Sequence, residues 1–280
     1  MKRIAETFER LSREGRLGLV PFLPVGYPSP EETLRLVPAL VAGGADIVEL
    51  GIPFSDPLAD GVTVQRASYQ ALCQGMTPAR CLEVVARLRR EGLAVPLVLM
   101  GYYNSILAWG REGHPTAWEP WPGRVGQGVD GFVQGAREAG ADGLIVVDLP
   151  AEEAEPLWRA CAEQELAFIP LLAPTSSDER IAMSARVASG FLYCVSLTGV
   201  TGARQRLAPE LADFLARVRR HSPLPRAVGF GISQREHVEE IGRLAEAAVV
   251  GSALIDAIEG VADDRRAERA KAFLEGLALR

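Results

Sequence analysis

Apolar residues fall in short, nearly continuous runs, separated by stretches in which apolar and charged positions recur with a helical period. The runs are Gly18–Leu23, Asp46–Ile52, Leu97–Tyr102, Gly143–Leu149, Ala167–Leu172, Phe191–Leu197, Ala227–Ile232 and Ala247–Val250. Strands apolar on both faces belong to a parallel sheet that is covered on both sides. Helix signals lie between them. Ser29-Pro30-Glu31-Glu32 joins a capping serine, a proline at the first helical position and a glutamate at the third. Ser176-x-x-Glu179 predicts a second capping box, before Arg180–Val187. Ahead of the first strand, Ile4, Phe8 and Leu11 share one face of the charged segment Met1–Arg16, an extra N-terminal helix.

Two segments echo each other: Gly43-Gly44-Ala45-Asp46 before Ile47-Val48-Glu49-Leu50, and Ala139-Gly140-Ala141-Asp142 before Leu144-Ile145-Val146-Val147. Each reads as a helix ended by glycine and turned directly into a parallel strand. Eight strands with helices between them favour an α/β fold of the closed (β/α)8 TIM barrel type over an open Rossmann sheet. No linker divides residues 1–280, which read as a single barrel domain. One stretch breaks the rhythm: Arg111–Gly128 holds three prolines, four glycines and two tryptophans without any period. It reads either as a surface loop pinned by Trp118 and Trp121 or as an ordered insertion.

Composition narrows the chemistry. The chain has 280 residues, 48% hydrophobic and 24% charged, with a net charge of −6, so a large core is available. No basic arm or stripe points to nucleic acid, and no apolar run is long enough to span a membrane as a helix. The first sixteen residues lack the apolar segment of a signal peptide. The cysteines, Cys73, Cys81, Cys161 and Cys194, have no metal-binding spacing and read as buried free thiols of a cytoplasmic protein. No His-Glu pattern suggests zinc, and no metal is expected. Of thirty basic residues only Lys2 and Lys271 are lysines. An internal Schiff-base or phosphate-loop lysine is thereby excluded.

In a barrel, function gathers at the C-terminal ends of the strands. Glu49 sits among Ile47, Val48, Leu50 and Ile52, where desolvation raises a carboxyl pKa toward neutrality. Asp60 follows on a loop rich in proline and aspartate and is expected to stay ionised. Two carboxyls in unlike surroundings suit divided acid/base work. The bland alternatives are an arginine-paired structural carboxylate for Glu49 and a solvated turn residue for Asp60. Phe22, Tyr102 and Tyr193 either line an aromatic-binding mouth or pack the barrel. Asp148 is a further strand-end carboxylate or the cap of a helix starting near Ala151. The last three strands end in Gly199-Val200-Thr201-Gly202, Gly229-Phe230-Gly231-Ile232-Ser233 and Gly251-Ser252-Ala253. Such glycines serve ordinary turns, but three successive loops of this kind also suit a phosphate ester. Gln234 stands where a dinucleotide fingerprint needs its third glycine, which disfavours NAD.

The uninterrupted stretch Glu49-Leu50-Gly51-Ile52-Pro53-Phe54-Ser55-Asp56-Pro57-Leu58-Ala59-Asp60-Gly61 resembles the signature of the tryptophan synthase alpha chain family. Val20-Pro21-Phe22, Met100–Asn104, Asp148-Leu149-Pro150 and the three glycine-ended segments match in the same order, from about Phe8 to about Ile258. The resemblance implies a barrel that cleaves indole-3-glycerol phosphate to indole and glyceraldehyde 3-phosphate, a retro-aldol step in tryptophan biosynthesis. It implies Glu49 as general acid/base and Asp60 as acceptor of the indole N–H. Phe22, Tyr102, Tyr193 and Thr201 would contact substrate, while Gly202, Gly231, Gly251 and Ser252 would bind phosphate. It further implies an α2β2 heterotetramer with a beta chain that holds the PLP, this chain carrying no cofactor. Pro53, Phe54, Asp56 and Asn104 would face that partner, and the loop Gly199–Arg206 would close on substrate. Residues 111–128 look like an insertion relative to the family. A stand-alone lyase that releases free indole, or a non-catalytic ligand-binding regulatory subunit, are the competing readings.

Overall fold

The computed structural model describes residues 1–110, 127–196, 209–229 and 231–279. Its strands are β1 (Gly18–Pro24), β2 (Val48–Gly51), β3 (Leu97–Gly101), β4 (Gly143–Val146), β5 (Ala167–Phe168), β6 (Leu171–Leu172), β7 (Leu192–Val195), β8 (Arg226–Gly229) and β9 (Ala247–Val250). They lie in the order β5-β4-β3-β2-β1-β9-β8-β7-β6, all neighbours parallel. The two ends of that order are consecutive in the chain. Only Ile169 and Pro170 part β5 from β6, so they are halves of one barrel strand and the sheet closes on itself. The run expected as one strand, Ala167–Leu172, is broken because Pro170 has no N–H to give the ladder. Its neighbours still bridge the gap: the Ile169 N–H donates to Leu144 O (3.0 Å) and the Tyr193 N–H to Pro170 O (3.2 Å). The fold is a (β/α)8 barrel with an extra N-terminal helix.

Twelve helices surround the barrel among the described residues: α1 (Lys2–Glu14), α2 (Pro30–Ala42), α3 (Val62–Cys73), α4 (Pro78–Arg90), α5 (Tyr103–Leu107), α6 (Gly128–Ala139), α7 (Glu155–Glu163), α8 (Asp178–Val187), α9 (Pro209–His221), α10 (Arg235–Gly242), α11 (Ser252–Ile258) and α12 (Asp263–Leu277). α2 starts as its sequence dictates, with Ser29 Oγ accepting the Glu32 N–H at 3.2 Å. The box expected at Ser176 is displaced by one residue. Ser177 caps α8 by accepting the Arg180 N–H (3.3 Å), while Ser176 Oγ closes the preceding turn by accepting the Ala173 N–H (3.1 Å). Residues 111–126 of the expected insertion lie outside the described residues, and Gly128 at its end opens α6. Cys81, Cys161 and Cys194 are buried free thiols, and Cys73 is exposed. No described helix is long and apolar enough to cross a membrane.

The echoed segments have one physical purpose. Asp46 and Asp142, both 3% exposed, each reach back across the sheet before a strand begins. Asp46 accepts the Leu19 N–H at 3.0 Å, and Asp142 accepts the Leu97 N–H at 3.0 Å. Each then needs a cation. Arg10 and Arg16 meet Asp46 at 2.7 and 2.8 Å, while Arg3 (2.9 Å) and Arg89 meet Asp142. Arg3 and Arg10, two turns apart on α1, bind this helix over the N-terminal end of the barrel. There Ile4, Phe8 and Leu11 bury, and the Phe8 ring lies 5.8 Å from that of Phe191. With this end plugged, the open end is the C-terminal one.

Truncating a buried partner strands the other charge, whereas truncating a half-exposed one does not. Asp142→Ala leaves Arg89, only 11% exposed, unpaired and is expected to cost about 3 kcal/mol. Arg10→Ala, at a 40% exposed side chain, is expected to cost less than about 1 kcal/mol. Urea denaturation of the two variants checks the contrast, and equal losses would refute it.

Candidate active site

At the C-terminal end of the barrel a cavity of about 320 Å³ opens between β1, β2, β7 and the loops after β2, β8 and β9. Its walls include Phe22, Glu49, Asp60, Tyr193, Gly231 and Ser252. Register brings the first members together. Phe22 of β1 is paired with Glu49 of β2, which is paired with Val98 of β3.

The aromatic walls need room, which glycine supplies. A Cβ at Gly51 would lie 2.7 Å from the Phe22 ring, and one at Gly229 would lie 2.3 Å from Tyr193 Oη. Gly229 is therefore required by the tyrosine rather than by a ligand. Phe22 and Tyr193 are 5% and 7% exposed and both face the cavity. They pack the barrel and line its mouth at once, so the two alternatives posed for them are not exclusive.

Glu49 is 1% exposed, and neither carboxyl oxygen has a hydrogen-bond partner among the described residues. No arginine among the described residues pairs with it, which tells against the structural-carboxylate reading. Burial, reinforced by the negative charge of Asp60, pushes its pKa up to about 8. It holds a proton at neutral pH and can give it up within the cavity.

Asp60 is built differently. The loop after β2 is pinned by the Asp60 N–H donating to Pro57 O (3.0 Å) and by Gln65 Nε2 donating to Asp60 O (2.9 Å). Tyr102 completes the mount: its hydroxyl accepts the Ala59 N–H (3.0 Å) and donates to Asp60 Oδ2 (3.1 Å). The Tyr102 ring stacks on Phe54 with centroids 4.9 Å apart. Burial raises the Asp60 carboxyl to about 6, the Tyr102 hydrogen bond holding it lower than burial alone would. Asp60 is thus neither a solvated turn residue nor an unperturbed carboxylate, and at pH 7 it is mostly ionised while Glu49 is mostly protonated. Burial, then the charges of Glu49 and Asp60, drive the Tyr193 hydroxyl well above its ordinary range, so it stays neutral.

The remaining expected residues divide. Gly231, Gly251 and Ser252 line the cavity, whereas Thr201 and Gly202 lie outside the described residues. Tyr102 is buried behind Asp60 and is not part of the cavity wall. Pro53 is buried, Phe54 is half-buried against Tyr102, and Asp56 and Asn104 are exposed. Asp148 caps a helix, but not the one expected. Its Oδ1 accepts the Tyr103 N–H (2.8 Å) at the start of α5, while α7 begins only at Glu155. Sequence reading missed Met100, Val147, Leu171 and Val249, which complete the apolar wall, and Ser233 and Asp256, which add polar groups. Asp256 was findable, being one helical turn beyond Ser252 on α11.

The chain matches the family model described as tryptophan synthase alpha chain over residues 8–276. It is 50% identical to the tryptophan synthase alpha chain of Chloroflexus aurantiacus over 277 residues, covering 99% of this chain and 97% of that one. It is also 50% identical to that of a Roseiflexus species, covering 99% of each. The crystal structure of tryptophan synthase subunit alpha from Legionella pneumophila superposes with a TM-score of 0.84 at 36% identity, covering 98% of this chain and 96% of that one. With a family match over residues 8–276 and relatives at half identity, the chain belongs to the tryptophan synthase alpha chain family.

Proposed function

We propose that the chain cleaves indole-3-glycerol phosphate to indole and D-glyceraldehyde 3-phosphate by carboxylate acid/base catalysis. The observation that carries this reading is Glu49, a buried carboxyl with no hydrogen-bond partner among the described residues and a pKa near 8, facing the same cavity as the ionised Asp60.

The step balances with these two groups. Protonated Glu49 gives its proton to the indole ring carbon that bears the glycerol chain. The ring nitrogen becomes cationic, and Asp60 stabilises it by accepting the N–H as charge develops. Glu49, now a carboxylate, takes the proton of the adjacent glycerol hydroxyl. The carbon–carbon bond breaks, its electron pair returns to the indole ring, and the hydroxyl carbon becomes the aldehyde. Glu49 ends protonated, as it began. The protonated indole is its own electron sink, so no lysine is required at a strand end, consistent with lysine at positions 2 and 271 alone.

Phe22 and Tyr193 hold the indole between them in this reading. Backbone N–H groups of Gly231, Gly251 and Ser252 take the phosphate. Thr201 and Gly202 join the substrate and phosphate contacts by the family pattern. A beta chain of the same enzyme, which holds the PLP, receives the indole in an α2β2 complex. Its docking face includes the loop from Pro53 to Asp60, with Asn104 beside it. Leu58 supports that placement, being an apolar side chain 92% exposed on the same loop.

Activity requires Glu49 protonated and Asp60 ionised, so kcat/KM is expected to be bell-shaped, with limbs near pH 6 and pH 8. Glu49→Gln is expected to lower kcat by a factor on the order of 10³ with folding retained. Asp60→Asn is expected to lower kcat and abolish the acid limb. Indole release measured from pH 5 to 9 checks all three, and near-normal turnover by Glu49→Gln would sink the assignment.

The same burial sets a stability slope. Above about pH 4.5 the unfolded Glu49 ionises while the folded one keeps its proton until about pH 8. The folded state then binds more protons, so stability falls as pH rises through that window, by about 3 kcal/mol at pH 7. Glu49→Gln has no such slope and should gain on the wild type between pH 5 and 8 in urea melts. Parallel pH profiles would contradict it.

Leu58→Glu places a charge where an apolar contact with the beta chain is proposed. It is expected to weaken the complex by roughly tenfold in titration calorimetry. An unchanged Kd would move the interface elsewhere.

A further inference from the structure

The cavity wall carries three carboxyl groups, Glu49, Asp60 and Asp256, and no lysine, arginine or histidine among the described residues. A phosphate ester entering it brings about two negative charges, and like charges at such range repel appreciably. Asp256 is the difficulty. It stands one turn after Ser252 on α11 and lines the cavity together with Gly251 and Ser252.

The structure also contains a counterweight. Arg66 and Thr63 lie three residues apart on α3 and face α11. Thr63 Oγ1 donates to Asp256 Oδ1 at 3.3 Å, and Arg66 Nη2 stands 3.6 Å from the same oxygen. Arg66 is anchored by Glu259, just past the end of α11, at 2.6 Å. The clasp holds the Asp256 carboxylate toward α3 and sets a guanidinium beside it. Glu49 and Asp60 take no part in it.

We propose that Arg66 is a positioning residue for the phosphate end of the cavity, holding Asp256 and offsetting part of its charge so that a phosphate ester can bind. The proposal rests on the reading that the glycerol-phosphate group lies against Gly231, Gly251 and Ser252. Arg66 and Asp256 are 52% and 55% exposed, so water and salt screen the effect and its scale is a few-fold in binding. Because the clasp does not touch the proton-transfer groups, it acts on KM and not on kcat.

The test is steady-state kinetics with indole-3-glycerol phosphate, together with competitive inhibition by glycerol 3-phosphate and, separately, by neutral indole. Arg66→Ala is expected to raise KM and the glycerol 3-phosphate inhibition constant roughly three- to fivefold, with kcat within about twofold and inhibition by indole unchanged. Asp256→Asn is expected to tighten glycerol 3-phosphate about twofold, and Arg66→Ala/Asp256→Asn to restore wild-type binding or better. Arg66→Lys retains most of the wild-type affinity. Unchanged constants in Arg66→Ala would overturn the proposal. So would a double variant as weak as Arg66→Ala, or an equal loss of indole inhibition, since either marks a purely structural tie. If indole inhibits the wild type and glycerol 3-phosphate does not, the phosphate placement itself is wrong and the proposal falls with it.

Discussion

A carboxyl group buried without a hydrogen-bond partner is costly, and the site is organised around one. Glu49 lies in the barrel interior with both oxygens unpaired among the described residues. Water would lower that cost and also return the pKa to its ordinary value, ending the group's usefulness as a proton donor at neutral pH. The apolar wall of Phe22, Met100, Val147, Leu171 and Val249 keeps the carboxyl dehydrated. A closed and tightly packed barrel carries this cost, since its cohesion comes from the strands and helices around the site. The clamp of α1 over the opposite end is the contrasting case: Asp46 and Asp142 there are paired with arginines, while Glu49 has no partner among the described residues and keeps its proton.

The second carboxyl shows how little is needed to separate two identical chemistries. Asp60 is also shifted upward by burial, yet it remains ionised where Glu49 does not. The difference lies first in burial, which is complete at Glu49 and only partial at Asp60, and then in the Tyr102 hydroxyl, which donates to Asp60 and is itself oriented by the Ala59 N–H. Phe54 fixes the tyrosine ring by stacking. The loop that exposes Leu58 on its outer side therefore also sets the charge of Asp60 on its inner side. Pressure on that loop from a partner subunit would reach the carboxylate through one aromatic stack and one hydrogen bond.

Much of this was legible in the sequence, for physical reasons. Short continuous apolar runs bounded by helix signals suit strands buried on both faces, and the Ser29 capping box fixes the start of α2. The carboxyl pair could be read because Glu49 is embedded in aliphatic residues and Asp60 in a polar loop, so their surroundings differ along the chain itself. What the sequence concealed depends on contacts between distant elements. The break at Pro170 needs the ladder to be seen, and the shift from Ser176 to Ser177 turns on which serine closes the preceding turn. Tyr102 looked like a wall residue because strand ends usually face the cavity, whereas its hydroxyl supports Asp60 from behind. Asp148 was recognisable as a cap, but its helix is α5, reached across the sheet rather than along the chain.

The glycines give the sharpest lesson about reading function from residue type. Gly229, the last residue of β8, and Gly231, just beyond it, look like a single phosphate-binding device. Gly229 instead yields its side-chain space to Tyr193, and Gly51 yields its own to Phe22. Gly231, by contrast, lines the cavity directly. One residue type therefore shapes the site in two ways, by letting an aromatic wall lie flat and by bringing backbone to the cavity surface. The aromatic walls matter more than the backbone for Glu49, because a side chain at either Gly51 or Gly229 would displace a ring that excludes water from its surroundings. The pKa of the proton donor is in this sense set by two missing side chains as much as by the carboxyl itself.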